Sequence, residues 1–343
     1  MDAKLLSQCF HDLYQAGLTT ASGGNISCRQ TDGVICISPS QIDKGYLKPK
    51  DFAFLNLEGK QLGNIKSSME YPFHLSIYRK FPHIKTVVHI HPPVFVALSL
   101  LSKDDFELKK IREKFNLGYA SYAIPGSDLL GSNICKAFEN DVEVVLMQNH
   151  GVIAIGSTLN EVIEWIVELN NAIIKHFNLG SSLDEFSLSG DFNLEPENTP
   201  HFYEERAKHF LSVKKKVKFI EDNDWGFFYA VVQLQSLKQL SLSTFSTHII
   251  PESYLILKNP IIKDEEFEPS KINEYFLFLN EQIKILIFKD GWALICGTSP
   301  YNLYDKMEVF DFTAKVTLLA QKMGEIKLLS DTQIRDLNNA FSI

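Results

Sequence analysis

The chain has no cysteine pair at the C-x-x-C spacing that a thiolate zinc site or a redox motif uses. Its five cysteines, Cys9, Cys28, Cys36, Cys135 and Cys296, are odd in number and scattered. A disulfide framework is therefore not expected, and a reducing cytoplasm is the expected setting. An excess of positive charge is also missing. With 34 Lys and Arg against 42 Asp and Glu the formal charge is -8, which argues against nucleic acid as a partner because phosphate contacts need clustered cations. The one basic run, at Lys214, Lys215, Lys216 and Lys218, is short and reads as a solvated helix face. The start of the chain lacks a charged and then apolar leader, and no run reaches bilayer-crossing length. No membrane partner is expected.

What is present is apolar material for buried cores: 45% of the 343 residues, including 25 Phe. That length predicts two domains of ordinary size. Residues 5–16 have a helical apolar period that stops at Gly17, and a small-residue loop runs from Thr19 to Asn25. Strand-like runs at 33–38 and 52–57 follow, the second ending in the turn Glu58-Gly59-Lys60. Further on are a helix over 71–81, a strand over 86–91, apolar β-branched runs at 141–147 and 152–155, and a long helix over 158–177. Turn formers and charges then replace apolar continuity. The expected organisation is a first domain over 1–178, a linker over 179–200, and a C-terminal α/β lobe over 201–343.

That lobe carries two echoes of the first domain. The run from Phe288 to Thr298 can be laid on Gln148 to Ser157 with one inserted residue, placing Asp290 where His150 stands, and Ile250-Pro251-Glu252-Ser253 parallels Ile124-Pro125-Gly126-Ser127. A degenerate repeat without metal ligands is the expectation.

The chemistry-bearing residues begin with Val88-His89-Ile90-His91 before Pro92-Pro93. Side chains alternate along a strand, so His89 and His91 share a face, and the prolines place them at a sheet edge or rim. Two imidazoles there can grip one ion, or simply cap a strand. A third histidine stands in Asn149-His150-Gly151. Ser67-Ser68-Met69-Glu70 opens the helix that leads to the histidine strand. Serines there can cap free amides, and Glu70 reads either as a group acting beside a metal or as a first-turn glutamate favoured by the helix dipole. His74, on the same helical face, is a partner of that group or a packed core histidine. The loop Ser22-Gly23-Gly24-Asn25-Ile26-Ser27 offers amides and polar side chains to ligand oxygens.

The order of these parts resembles the class II aldolase/adducin family. The matching elements are the 22–27 loop, Ile37-Ser38-Pro39-Ser40, Ser68-Met69-Glu70 with His74, Val88 to His91, and Asn149-His150-Gly151 with Gly156, within residues 5–178. The resemblance implies an α/β/α sandwich around a central, mainly antiparallel sheet. It implies zinc, or another divalent ion, on His89, His91 and His150, with catalytic Glu70 as ligand or acid/base. Asn25, Ser40 and Ser68, backed by the Gly23 and Gly24 amides, would bind a small sugar or sugar phosphate. The implied activity is a metal-dependent aldehyde-lyase that cleaves a ketose or ketose phosphate through a zinc-stabilised enediolate. Epimerisation, dehydration or decarboxylation on the same metal is the alternative, and a non-catalytic interaction module a third reading. A homo-oligomer, dimer or tetramer, is also implied.

Three departures stand against the family pattern. Met69 and Gln41 occupy positions where a serine and a glycine belong to the phosphate pocket. The tyrosine expected after the histidine strand is replaced by the stretch from Ser102 to Lys110, with Tyr119 and Tyr122 only later. The long C-terminal portion has no counterpart in single-lobe members.

Overall fold

The computed structural model describes residues 3–180, 198–210, 217–222, 227–279 and 283–342. Most of the expected linker and the basic run at 214–216 lie outside these. The chain divides into two compact units, one formed by residues 1–185 with 319–343, the other by 186–318.

The first unit is built on seven strands: β1 (Asn25–Arg29), β2 (Ile35–Ile37), β3 (Ala53–Leu55), β4 (Thr86–Ile90), β5 (Gly118–Ala120), β6 (Val144–Met147) and β7 (Gly151–Gly156), in the order β3-β2-β1-β4-β7-β6-β5. Every neighbouring pair is antiparallel except β5 with β6. The mainly antiparallel sheet is therefore as expected. The histidine strand β4 is the central strand, not a lateral edge, paired on both sides by β1 and β7. What is right in the rim reading is the strand's end, where Pro93 opens a new helix.

Helices α1 (Ala3–Gln15), α3 (Pro93–Ser99) and α4 (Phe106–Phe115) accompany three more that cover the two faces. On one, α2 (Tyr71–Lys80) and α5 (Asp128–Ala137) pack together over Ile35, Ile37, Val87, Val145, Met147, Ile153 and Ile155. Period-two alternation sends Val88, Ile90, Val152 and Ala154 to the other, where α6 (Leu159–His176) lies on β4 and β7. The Thr158–Glu161 capping box starts α6. Gly156 is required there, since a Cβ would stand 2.7 Å from Val162 Cγ2. A division at residue 201 would give 319–343 to the second lobe. Their backbone pairs instead with the first unit: Lys327 N donates to Leu100 O at 2.7 Å, and Leu101 bridges Ile326.

The second unit holds β8 (Lys218–Asp222), β9 (Phe227–Gln233), β10 (Ile261–Lys263), β11 (Ile285–Phe288) and β12 (Trp292–Gly297), ordered β10-β11-β12-β9-β8. Only β10 with β11 is parallel. With Gly297 set on Gly156, the registers coincide: Val231 pairs Leu294 as His89 pairs Ile153, and Ile261 pairs Leu286 as Gly118 pairs Val145. A Cβ on Gly297 would likewise strike the residue six positions on, Leu303.

Candidate metal centre

His89 sits in β4 with Asn25 of β1 directly opposite on one side and Ile153 of β7 on the other. Its ring meets Phe73 edge-on at 5.6 Å. His91 follows the strand, and its Nε2 lies 3.0 Å from His89 Nε2. His150 enters from the turn between β6 and β7, where Asn149 takes a left-handed φ of +49° and His150 N donates to Met147 O at 3.1 Å. The three imidazoles are buried, and their ligand nitrogens lie within 4.8 Å of one another. Two glycines permit the approach. A Cβ on Gly24 would stand 2.6 Å from His89 O, and one on Gly151 would stand 2.7 Å from His91 Cδ2.

Glu70 closes the cluster. It is the residue before α2, yet its side chain makes no capping bond. The carboxylate instead places Oε2 3.4 Å from His89 Nε2 and Oε1 3.4 Å from His150 Nε2. The helix-dipole reading of this residue is thus replaced by contact with the imidazoles. The donor set fits a divalent ion. Zinc–nitrogen bonds of about 2.0–2.1 Å put neighbouring ligand atoms of a tetrahedral ion about 3.3 Å apart, close to the 3.0 Å between His89 and His91 and the 3.4 Å from Glu70 to His89 and to His150. Protonation fits as well. Burial, with the neighbouring histidines, holds His89 and His150 well below the ordinary histidine range, and only neutral imidazole ligates. His89 Nδ1 donates to Val152 O at 2.9 Å, which leaves its Nε2 lone pair facing the cluster.

The expected substrate-binding residues divide. Asn25 is buried, with its side chain on Glu70 and His74 rather than open to a ligand. Gly23 N is engaged by Thr20 Oγ1 at 2.8 Å. Ser40 and Ser68 lie on paired segments, Ser40 N donating to Lys66 O and Ser68 N to Ser38 O, while Ser68 Oγ accepts from Glu70 N at 3.3 Å. Gln41, where the resemblance implies glycine, takes a φ of +58°, the region that glycine enters without strain. Met69 is exposed. Tyr119 and Tyr122 have phenols pushed up to about 12 by burial, so both stay protonated at neutral pH.

Sequence reasoning missed three contributors and read a fourth, Ser27, as part of a ligand loop. Lys44 is buried with its ammonium on the carbonyl of Pro39, beside Ser40. Ser27 and Tyr78 join His74 in hydrogen bonds, and Lys327 O accepts from Asn149 Nδ2. Tyr78 stands four residues after His74 on the same helix, which was the available signal for it; the polarity of Ser27 made its strand read as loop. Lys327 had none.

A central, mainly antiparallel sheet that gathers three histidines and a carboxylate at one strand end is the arrangement of a candidate divalent-metal site. The chain matches the family described as Class II Aldolase and Adducin N-terminal domain over residues 4–174. It is 31% identical over 188 residues to an L-fuculose phosphate aldolase of Methanococcus vannielii, a match covering 51% of this chain and 98% of that one. A 3-oxo-tetronate 4-phosphate decarboxylase of Haemophilus influenzae is 30% identical, with 51% and 87% covered. A 5-methylthioribulose-1-phosphate/5-deoxyribulose-1-phosphate aldolase of Rhodospirillum rubrum is 33% identical, with 45% and 70% covered. The chain belongs to the class II aldolase/adducin family.

Proposed function

We propose that the first unit is a metal-dependent lyase that cleaves a ketose or ketose phosphate by retro-aldol chemistry, with zinc the fitting ion. The observation that carries this reading is the Glu70 carboxylate 3.4 Å from two of three buried histidines. His89, His91 and His150 would hold the ion. An ion held there would supply Lewis-acid stabilisation of the negative charge that develops on the substrate's carbonyl oxygen as the C–C bond breaks. Glu70 moves the proton on the donor carbon. Gly24, Ser40 and Ser68 orient substrate oxygens, and Gly23 shapes the loop that carries them. Asn25 acts through Glu70.

Decarboxylation is the second reading, favoured by the nearly equal likeness to a 3-oxo acid phosphate decarboxylase. The test is a panel of free ketoses, ketose phosphates and 3-oxo acid phosphates, with carbonyl products and carbon dioxide followed with and without chelator. Chelator-sensitive carbonyl release supports the lyase, and carbon dioxide release supports the alternative. Turnover of the panel unaffected by chelator would overturn both.

The coincident registers support the second unit as a degenerate copy. Val231, Gln233 and Gly291 then stand at the positions of His89, His91 and His150, and Asp290 at that of Asn149. The one-residue insertion is unnecessary, because both turns are three residues long. A cytoplasmic homo-oligomer, dimer or tetramer, completes the reading. Its cysteines are free, and no helix among the described residues is long and apolar enough to cross a membrane.

A further inference from the structure

Behind Glu70 runs a chain of four side chains, each buried: Asn25, His74, Ser27 and Tyr78. Asn25 Nδ2 lies 2.7 Å from Glu70 Oε2, and Asn25 Oδ1 lies 2.5 Å from His74 Nε2. His74 Nδ1 is 2.7 Å from Ser27 Oγ, which is 2.8 Å from the Tyr78 hydroxyl. The side-chain chemistry fixes the direction of every bond. An ionised carboxylate only accepts, so Asn25 presents its amide nitrogen to Glu70 and its carbonyl oxygen to His74. That oxygen also only accepts, so His74 donates from Nε2. Burial lowers the His74 pKa to about 3, which keeps the ring neutral. With Nε2 protonated, Nδ1 must then accept the Ser27 hydroxyl proton. Ser27 has one proton, so Tyr78 donates to Ser27. Arg29 lies 5.2 Å over the Tyr78 ring at the far end.

We infer that His74 is a positioning residue, the centre of a one-way hydrogen-bond chain from Tyr78 through Ser27 and Asn25 that aims the Glu70 carboxylate at the metal centre. This inference rests on the reading of Glu70 as the acid/base group. Every dipole in the chain points at Oε2, so Glu70 is held as an acceptor with Oε1 left toward His150. Aligned hydrogen bonds in a low-dielectric interior strengthen one another. Such outer partners typically contribute about 10- to 100-fold to activity or metal affinity.

The decisive measurement needs no substrate. Long-range 1H–15N spectra of the full-length protein labelled with 15N-histidine, at pH 7 with and without chelator, should show His74 as the neutral Nε2–H tautomer in both states. Its resonances are assigned from their loss in His74→Asn. An Nδ1–H tautomer or an imidazolium would overturn the chain. Ser27→Ala should shift the His74 Nδ1 resonance while metal content is kept. Tyr78→Phe should lower kcat about 10-fold with KM and metal content unchanged. If both variants leave the resonance and kcat unaltered, the chain does not position Glu70. A failure of the lyase reading would show instead as a wild-type enzyme inactive toward the substrate panel, with the tautomer still resolved.

Discussion

The Asn149 side-chain amide donates to the Lys327 carbonyl at 2.8 Å, across 178 residues of sequence. The turn that aims His150 is therefore tied to a segment that follows the entire second unit. Asn149→Gly keeps the left-handed backbone without strain but removes the tether. Divalent-ion affinity should fall about 10-fold, read by competition with a chromophoric chelator. Unchanged affinity would show that the tether does not aim the imidazole.

His89→Ala and His150→Ala each remove a proposed ligand and should abolish stoichiometric metal, measured by elemental analysis of purified protein. Glu70→Gln keeps size and shape but cannot take a proton. Turnover should fall about 100-fold or more with the far-UV circular dichroism unchanged, and full activity would end its acid/base role.

His74 is neutral in the folded protein, with its pKa lowered to about 3 by burial, and ordinary when unfolded. Below the unfolded value the unfolded chain binds more protons, so stability is whole above about pH 6.5 and is lost progressively as pH falls toward the folded value. One such group should lower stability by about 2 kcal/mol between pH 7 and pH 5. His89 and His150 act in the same direction. Urea unfolding of metal-free protein at the two pH values checks this, and equal midpoints would refute it.

Gly151→Ala would set a Cβ 2.7 Å from both Ile90 O and His91 Cδ2. The backbone neighbour cannot yield as a side-chain tip could. Destabilisation of about 1–3 kcal/mol is expected, with weakened metal binding, both measurable by thermal unfolding with and without added ion.

Asp290→Ala should leave metal content unaltered if the second unit is a copy without ligands. Loss of metal in that variant would give the second unit a direct role at an ion.

The sequence is most legible where one local period carries the information. His89 and His91 share a face because strands alternate, and α6 follows from its apolar spacing and its Thr158 cap. β1 is hidden because Asn25 and Ser27 are polar at buried positions, so the segment reads as loop. Their burial is satisfied by residues 45 to 51 positions away, a pairing no local period encodes. His74 reads as core, and it is stacked on Phe73 at 4.7 Å. Its second role as a hydrogen-bonding group depends on β1 being a strand. The membership of residues 319–343 in the first unit is likewise set by long-range backbone pairing.

Asn25, His89 and Ile153 occupy a single row across β1, β4 and β7. A slip of either neighbour by one residue would turn its side chains to the opposite face, taking Asn25 from Glu70 or Val152 O from His89. An ion binding only the correctly paired sheet adds to that pairing's stability by mass action. If the histidines take up an ion as proposed, uptake and strand register are coupled: a chain that has slipped could not load, and a loaded chain would have to release its ion before it could slip.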